Sequence, residues 1–412
     1  MPTNPEGRAL NNQMIDGLRA RQNLLDRSSE AAFRAVPRHV FLPGQKLETI
    51  YTDEAIAIKR DSDGSVLSSS SQPTMMAIML RQLRLEKGDN VLEIGTGTGY
   101  NAAIMQHIVG ETGYVTSIEL DNQLADQARQ NLQRMNIGNN VNVVTTDGAQ
   151  GYAPRASYDR IIATAATWDI PPAWIKQLKP DGVLVAPMWI EGMQVSAAFS
   201  LQDDGTLYSS RNIPCSSRNI PCAFISMRGV ASGPTVSRRV GRSTLMLSAH
   251  NVQNIDSAAL HLLLSDDAEI NRLTPALDSL DYWNGFVIYL ALNVPSGYQF
   301  ALNVPSGYQF SLYNVAENQK TYGLEGSGFA ITRRGTACFV PYNGEGLAYA
   351  FGGADAFMHL QKRLDEWEAA GRPGSDSLRL LVLPQDHPRA TAQGSATVYQ
   401  RQYHHLLVWL EG

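Results

Sequence analysis

Three glycines in five residues, Gly95-Thr96-Gly97-Thr98-Gly99, constrain this chain more than any other feature. They follow a short apolar run, Asn90–Ile94, and precede a helix-like stretch, Tyr100–Val109. Glycines at the end of a strand let the backbone turn sharply and approach a ligand, and the helix that follows opens toward that ligand. The pattern then repeats. Strands are expected at Tyr114–Glu119, Val141–Thr145, Tyr158–Thr164 and Gly182–Pro187, with helices at Asn122–Met135 and Pro171–Leu178. Strands alternating with helices predict an α/β fold, a Rossmann-like, doubly wound parallel sheet.

The glycine spacing selects among ligands. A dinucleotide fingerprint would be GxGxxG, which seats a pyrophosphate on the helix N-terminus. Here the spacing is GxGxG with Glu93 just before it, which suits a nucleoside that carries an amino-acid tail and no phosphate, such as S-adenosylmethionine (SAM). The plain alternative is a glycine-rich βα turn. Glu119 ends the second strand, 24 residues after Gly95, where a carboxylate can accept both ribose hydroxyls. Asp147-Gly148 ends the third, where Asp147 can accept from an adenine amino group and Gly148 turns the chain. Singly, these are a solvated carboxylate and an ordinary Asp-Gly turn. Together they occupy the carboxyl ends of consecutive strands, where open α/β sheets bind ligands. The expected cofactor site is therefore Gly95, Gly97 and Gly99 as the loop, Glu93 near the methionine part, Glu119 on ribose, and Asp147 with Gly148 at adenine.

Outside this core, residues 8–35 read as helical, with Leu10, Met14, Leu18 and Leu25 on an approximate stripe. Val36–Pro43 breaks that helix. A polar stretch leads to Ser68-Ser69-Ser70-Ser71-Gln72-Pro73, and a Met-rich helix follows to about Leu85. After about residue 225 the pattern changes. A helix is expected at Ser257–Leu264, strands at Phe286–Leu292, Gly328–Thr332, Thr336–Val340, Leu378–Leu383 and Val398–Leu410, a loop at Gly233-Pro234 and an exposed basic stretch at Arg238–Arg242. Asp355–Glu368 is expected as a helix with Phe357, Leu360, Leu364 and Trp367 on one face, stopped by Gly371 and Pro373. Two domains are expected: 1–225, carrying the cofactor motif, and 226–412, a C-terminal α+β accessory domain. SSRNIPC occurs at Ser209–Cys215 and again at Ser216–Cys222, and ALNVPSGYQF at Ala291–Phe300 and again at Ala301–Phe310. Exact copies of this length point to segments written twice rather than to a repeat architecture, and no function is assigned to them.

Several function classes are disfavoured. The net charge of −5 and the lack of a basic tract argue against nucleic acid. No apolar run reaches membrane-span length, and the N-terminus lacks a signal-peptide pattern. Three cysteines form neither a disulfide framework nor a metal-ligand spacing, which fits a reducing cytoplasm. The eight histidines show no cluster, so no metal site is expected; in His404-His405 one ring should face out. Asp169-Ile170-Pro171-Pro172 reads as a helix cap rather than as a DPPY-type motif. No Ser/His/Asp arrangement is readable. Methyl transfer to a carboxylate needs no general base, because that nucleophile is ionised at pH 7.

The first 200 or so positions resemble the protein-L-isoaspartate O-methyltransferases. The matching pieces are Val36-Pro37-Arg38 with Phe41-Leu42-Pro43, Tyr51-Thr52-Asp53-Glu54-Ala55, Ser71-Gln72-Pro73, Val91–Tyr100, Glu119 and Asp147-Gly148. Ser-Gln-Pro before the first strand of the sheet is the most specific of these. The resemblance implies SAM-dependent methylation of an aspartyl-type carboxylate, of Asp or isoAsp, in a peptide or protein. It implies that Ser71 lies beside the acceptor, with neighbouring Ser70 and Ser69 sharing that role. The chain departs from the family pattern in three ways. Ser70 stands where the family has an apolar residue, the stretch from Tyr51 to Pro73 is longer, and nearly 190 residues follow the resembling part. On these departures the reading leans to a branch that methylates Asp in ribosomally synthesised peptides, giving aspartimide and then isoaspartate. The alternative is an isoaspartate repair enzyme with an accessory domain.

Overall fold

A computed structural model describes residues 4–20, 26–62, 64–137, 139–214, 224–294, 307–342, 345–388 and 396–411, with side chains omitted for 210–214. The second SSRNIPC copy and most of both ALNVPSGYQF copies lie outside the described residues, as does Leu25 of the expected stripe.

The chain opens with helices α1 (Pro5–Ala20), α2 (Arg27–Ala35) and a single turn, α3 (Leu47–Ile50). Asp26 caps α2 by accepting the Ser29 amide at 2.7 Å. A hairpin follows, β1 (Ile56–Arg60) with β2 (Val66–Ser70), so the serine run begins as a strand rather than a free loop. Helix α4 (Pro73–Leu83) starts with proline at its first position, where no amide is needed. The alternating part is β3 (Asn90–Ile94), α5 (Tyr100–Val109), β4 (Tyr114–Glu119), α6 (Asn122–Arg134), β5 (Val141–Thr145), β6 (Tyr158–Ala163), α7 (Pro172–Gln177) and β7 (Leu178–Ile190). These elements match the expected ones closely, and β3, β4, β5, β6 and β7 pair in parallel in the order β7-β6-β3-β4-β5. The α/β class and the Rossmann-like sheet are thereby observed.

The sheet does not end there. β8 (Met193–Leu201) and β9 (Leu207–Pro214) continue it antiparallel from β7. The chain then builds a second, antiparallel sheet from β10 (Ser237–Arg239), β11 (Leu245–Ser248), β12 (Glu269–Arg272), β13 (Gln309–Val315), β14 (Ser327–Arg333), β15 (Thr336–Pro341) and β16 (Leu347–Phe351). Its helices are α8 (Ser257–Leu263), α9 (Val287–Asn293) and α10 (Asp355–Ala369). The last strands, β17 (Leu378–Pro384), β18 (Thr397–Gln400) and β19 (His404–Leu410), return to the first sheet, which reaches ten strands in the order β18-β19-β17-β9-β8-β7-β6-β3-β4-β5. A cut at 225/226 therefore does not follow the sheets. One buried cluster runs from Leu92 and Ile161 through Trp283 and Phe329 to Leu406 and Val408.

Two expectations in the second half are corrected. Phe286–Leu292 is helical, not a strand: a wide turn at Asp281–Phe286 runs into α9. Its run of apolar residues is buried, and a fully buried helix has no periodicity to distinguish it from a buried strand. Gly285 lets this turn pack on Trp367, since a Cβ there would lie 2.6 Å from the indole. Val398–Leu410 is two strands with a turn at 401–403 rather than one. Arg238 and Arg239 are exposed, as expected of the basic stretch, and sit in edge strand β10. The α10 face of Leu360, Leu364 and Trp367 is buried as expected, with Phe357 packed partly against it. Among the described residues, no helix is long and apolar enough to cross a membrane.

Candidate active site

A cleft opens at the carboxyl ends of β3, β4 and β5. That is the place of a small-ligand site in an open α/β sheet. Gly95, Glu119 and Gly148 line it, together with Ile94, Ile118 and Leu120. Across from them stand Ser68, Ser69, Ser71 and Gln72. A third segment, Phe224–Arg228, completes the lining with Thr164 and Ala165.

All three loop glycines have positive φ, +102° at Gly95, +53° at Gly97 and +85° at Gly99, the region that favours glycine. Their tasks differ. Gly95 faces the cleft, and a Cβ on it would lie 2.5 Å from the Thr164 hydroxyl. Gly97 donates its amide to Glu119 Oε2 at 2.9 Å. Gly99 stands at the start of α5 and packs against Ala128 of α6. Glu119 is 7% exposed; its Oε1 accepts the Asp121 amide at 3.1 Å. Two amides hold the carboxylate still at the edge of the cleft. Gly148 also lacks room for a side chain, with Ile94 Cγ2 2.5 Å from where its Cβ would be.

Two expected cofactor residues sit elsewhere. Glu93 is fully buried and does not line the cleft. Its Oε2 accepts from Ser117 Oγ at 2.5 Å and its Oε1 from Asn101 Nδ2 at 2.8 Å, so it ties β4 and α5 together beneath the glycine loop. Burial pushes its carboxyl up to about 7, against the two hydrogen bonds. Asp147 accepts the Ala149 amide on Oδ1 and the Val230 amide on Oδ2, both at 2.9 Å, and is likewise not part of the lining. Its position at the end of β5 is as expected, but its second oxygen holds the segment after residue 224.

On the serine side, Ser71 lines the cleft, whereas Ser70 is 4% exposed and lies behind it. Arg38 explains the difference. It is fully buried, and its Nη2 donates to Ser71 O at 2.9 Å, Ser70 O at 3.3 Å and Ser70 Oγ at 3.4 Å. The same guanidinium donates to Ile50 O, Thr52 O and Glu54 O at 2.7 to 3.2 Å. Asp53 accepts the Thr74 amide and hydroxyl, and Gln72 donates to Asp53 O. The matching pieces around residues 38 and 53 are thus the frame that holds Ser71-Gln72-Pro73 in place. Nothing in local periodicity shows this, because the contacts span up to 33 residues.

The segment Phe224–Arg228 had no sequence signal. Ala166 donates to Ile225 O and Met227 donates to Ala166 O, both at 2.8 Å, so it runs beside the chain after β6. That chain is tied to the glycine loop, because Thr164 Oγ1 donates to Gly95 O at 2.6 Å and to Ile94 O at 3.0 Å. Asp169 is not a helix cap. It accepts the Tyr403 and His404 amides and pairs with His404 Nδ1 at 3.0 Å, while α7 begins at Pro172 with Pro171 in the cap position and no side-chain cap. His404 is buried and His405 only half-buried, as the strand alternation implied.

The arrangement fits a nucleoside with an amino-acid tail. It offers a fixed carboxylate, glycine-lined backbone and apolar walls from Ile118, Leu120 and Met227, and among the described residues Arg228 is the one basic side chain in its lining. The sequence model of the family Protein-L-isoaspartate(D-aspartate) O-methyltransferase matches residues 9–221. The chain is 44% identical over 171 residues to protein-L-isoaspartate O-methyltransferase 2 of Archaeoglobus fulgidus, covering 41% of this chain and 75% of that one. It is 40% identical over 184 residues to the protein-L-isoaspartate O-methyltransferase of Ignicoccus hospitalis, covering 44% and 84%. A solved structure of a protein-L-isoaspartate O-methyltransferase aligns with 90% of this chain and 96% of its own, at 23% identity and a TM-score of 0.49.

Proposed function

Since the chain belongs to the protein-L-isoaspartate O-methyltransferase family, we propose that it is a SAM-dependent enzyme that methylates the carboxylate of isoaspartyl residues in proteins or peptides. The observation that carries this reading is one cleft with the glycine loop and Glu119 on one side and Ser71 on the other. SAM supplies an electrophilic methyl group on a sulfonium. Glu119 would hold the ribose, while Gly95 and Gly148 give the backbone room for the nucleoside. Glu93 acts from below by fixing Ser117 and Asn101, and Asp147 holds Val230 near the adenine end.

The acceptor carboxylate is already ionised at pH 7, so the site needs no general base. Glu119 and Arg228 are the charged residues in the lining, and Glu119 is engaged by two amides. The protein's work is alignment and exclusion of water. Ser71, held by Arg38 through its carbonyl, can donate its hydroxyl to one acceptor oxygen and leave the other facing the methyl group.

An isoaspartyl acceptor is preferred to the Asp of a ribosomally synthesised peptide, the reading toward which the sequence leaned. What supports this is that the two named relatives are isoaspartate methyltransferases. The altered serine loop, which had favoured the other branch, is held by Arg38 with Ser71 still in the cleft. Residues after 226 serve the same cleft as an accessory part. The test is mass spectrometry after incubation with SAM and two short peptides that differ only in Asp or isoAsp. A gain of one methyl on the isoAsp peptide alone is expected. A gain on the Asp peptide alone, followed by loss of methanol, would overturn the acceptor assignment. Ser71→Ala is expected to lower kcat about tenfold, roughly 1.4 kcal/mol, with less change in cofactor affinity. A normal rate would place the acceptor elsewhere.

A further inference from the structure

The loop that follows β6 belongs to the cleft at one end and to the far C-terminus at the other. At its start, Thr164 and Ala165 line the cleft and Ala166 holds Ile225 and Met227. At its end, Trp168 and Asp169 are gripped by the β18–β19 hairpin, more than 230 residues later. Arg401 lies in the turn of that hairpin, with its guanidinium carbon 3.7 Å from the centre of the Trp168 ring and 5.2 Å from that of Tyr399. His250 stacks on Trp168, at 5.0 Å and 10°. Arg401 Nη2 donates to Trp189 O at 2.7 Å, while its Nε and Nη1 have no hydrogen-bond partner among the described residues.

A guanidinium that is 5% exposed is costly unless other groups compensate it. Here the compensation comes from other segments: the Trp168 ring, the Trp189 carbonyl and the charges of Asp169 and Glu191. An arginine facing an indole at this distance gains a cation–π attraction that is larger when desolvated. The arrangement stitches the hairpin, the end of β7 and the loop after β6 at one point. Between Trp168 and Thr164 there are only three residues, so that point lies within about 14 Å of chain from the cleft. Ala166, in the middle, has both its backbone groups committed to Ile225 and Met227.

We propose that the β18–β19 hairpin is a positioning element of the active site, and that Arg401, stacked on Trp168, sets the cleft wall formed by Thr164–Ala166 and Ile225–Met227. In this arrangement the C-terminal part of the chain is needed for function without touching the substrate. Arg401 is a positioning residue; the kinetic arm of its test rests on the methyltransferase reading, and the exchange arm does not.

The test is Arg401→Lys in the full chain, with Trp168→Phe as a parallel variant that keeps an aromatic core. Lysine keeps a cation near Asp169 and Glu191 but cannot lie flat on the indole. Amide hydrogen exchange is read over residues 164–170 and 224–230, with β14 and β15 as the internal reference. Exchange at both segments is expected to rise about tenfold while the reference stays unchanged. The KM for an isoAsp peptide is expected to rise about tenfold with kcat changed less than threefold. Unchanged exchange in either folded variant would overturn the proposal. So would an unchanged KM in a variant whose parent methylates the peptide. A parent that methylates neither peptide would sink the functional reading instead, and the exchange result would still decide this one.

Discussion

The two sides of the cleft are built in opposite ways. The glycine side comes from consecutive βα units: Gly95, Glu119 and Gly148 lie within one stretch of chain, each at the end of its own strand. The serine side is assembled from pieces far apart, Ser68–Gln72 held by Arg38 and Phe224–Arg228 held by the loop after β6. The first side depends on local rules of turn geometry and strand order. The second depends on side chains and amides reaching across the fold. A change in the first should alter binding of one ligand; a change in the second should loosen a whole wall.

The sharpest way to break this comparison is Arg38→Ala. It removes a buried guanidinium that serves carbonyls of both the 50–54 segment and the serine segment. The expected cost is about 3–5 kcal/mol of stability, read as a lower denaturation midpoint, together with loss of methylation. A loss under about 1 kcal/mol with normal turnover would show that the serine segment holds itself. Glu119→Ala probes the other side. Affinity for S-adenosylhomocysteine is expected to fall about ten- to a hundredfold by calorimetry, equivalent to about 1.4–2.8 kcal/mol, with the fold retained. Unchanged affinity in the folded variant would remove the ribose assignment.

A pH-dependent effect concerns Glu93, beneath the glycine loop. Its carboxyl is raised by burial from 4.5 to about 7, so between those values the folded state binds more protons than the unfolded one. Its contribution therefore declines as pH rises from about 4.5 to about 7 and is flat above. Glu93→Gln should flatten that part of the stability profile relative to the parent. Parallel profiles for the two proteins would mean that the carboxylate titrates normally.

How much was legible follows the same division. Gly95, Glu119 and Gly148 were read from spacing and line the cleft, because a cleft in an open sheet lies at the strand ends. Glu93 and Asp147 stand at strand ends as expected but lie outside that lining, with partners inside the protein. Sequence position does not say whether a carboxylate faces ligand, a serine and an asparagine, or the amide of Val230. Arg38 and Asp53 were visible as residues of a family pattern without a task. Asp169 was read through its two following prolines as a cap, when its partners are the amides of residues 403 and 404.

By itself the sequence determined the βα alternation, the glycine turn, the strand ends that line the cleft and the family to which the chain belongs. Periodicity, turn chemistry and short motifs act over a few residues, so they survive reading along the chain. Only the tertiary structure decided that β17, β18 and β19 return to the first sheet, that Phe286–Leu292 is helical, and which distant segments close the cleft. Those outcomes depend on which buried groups find partners across the fold, and such pairings span from a few tens to more than 200 residues.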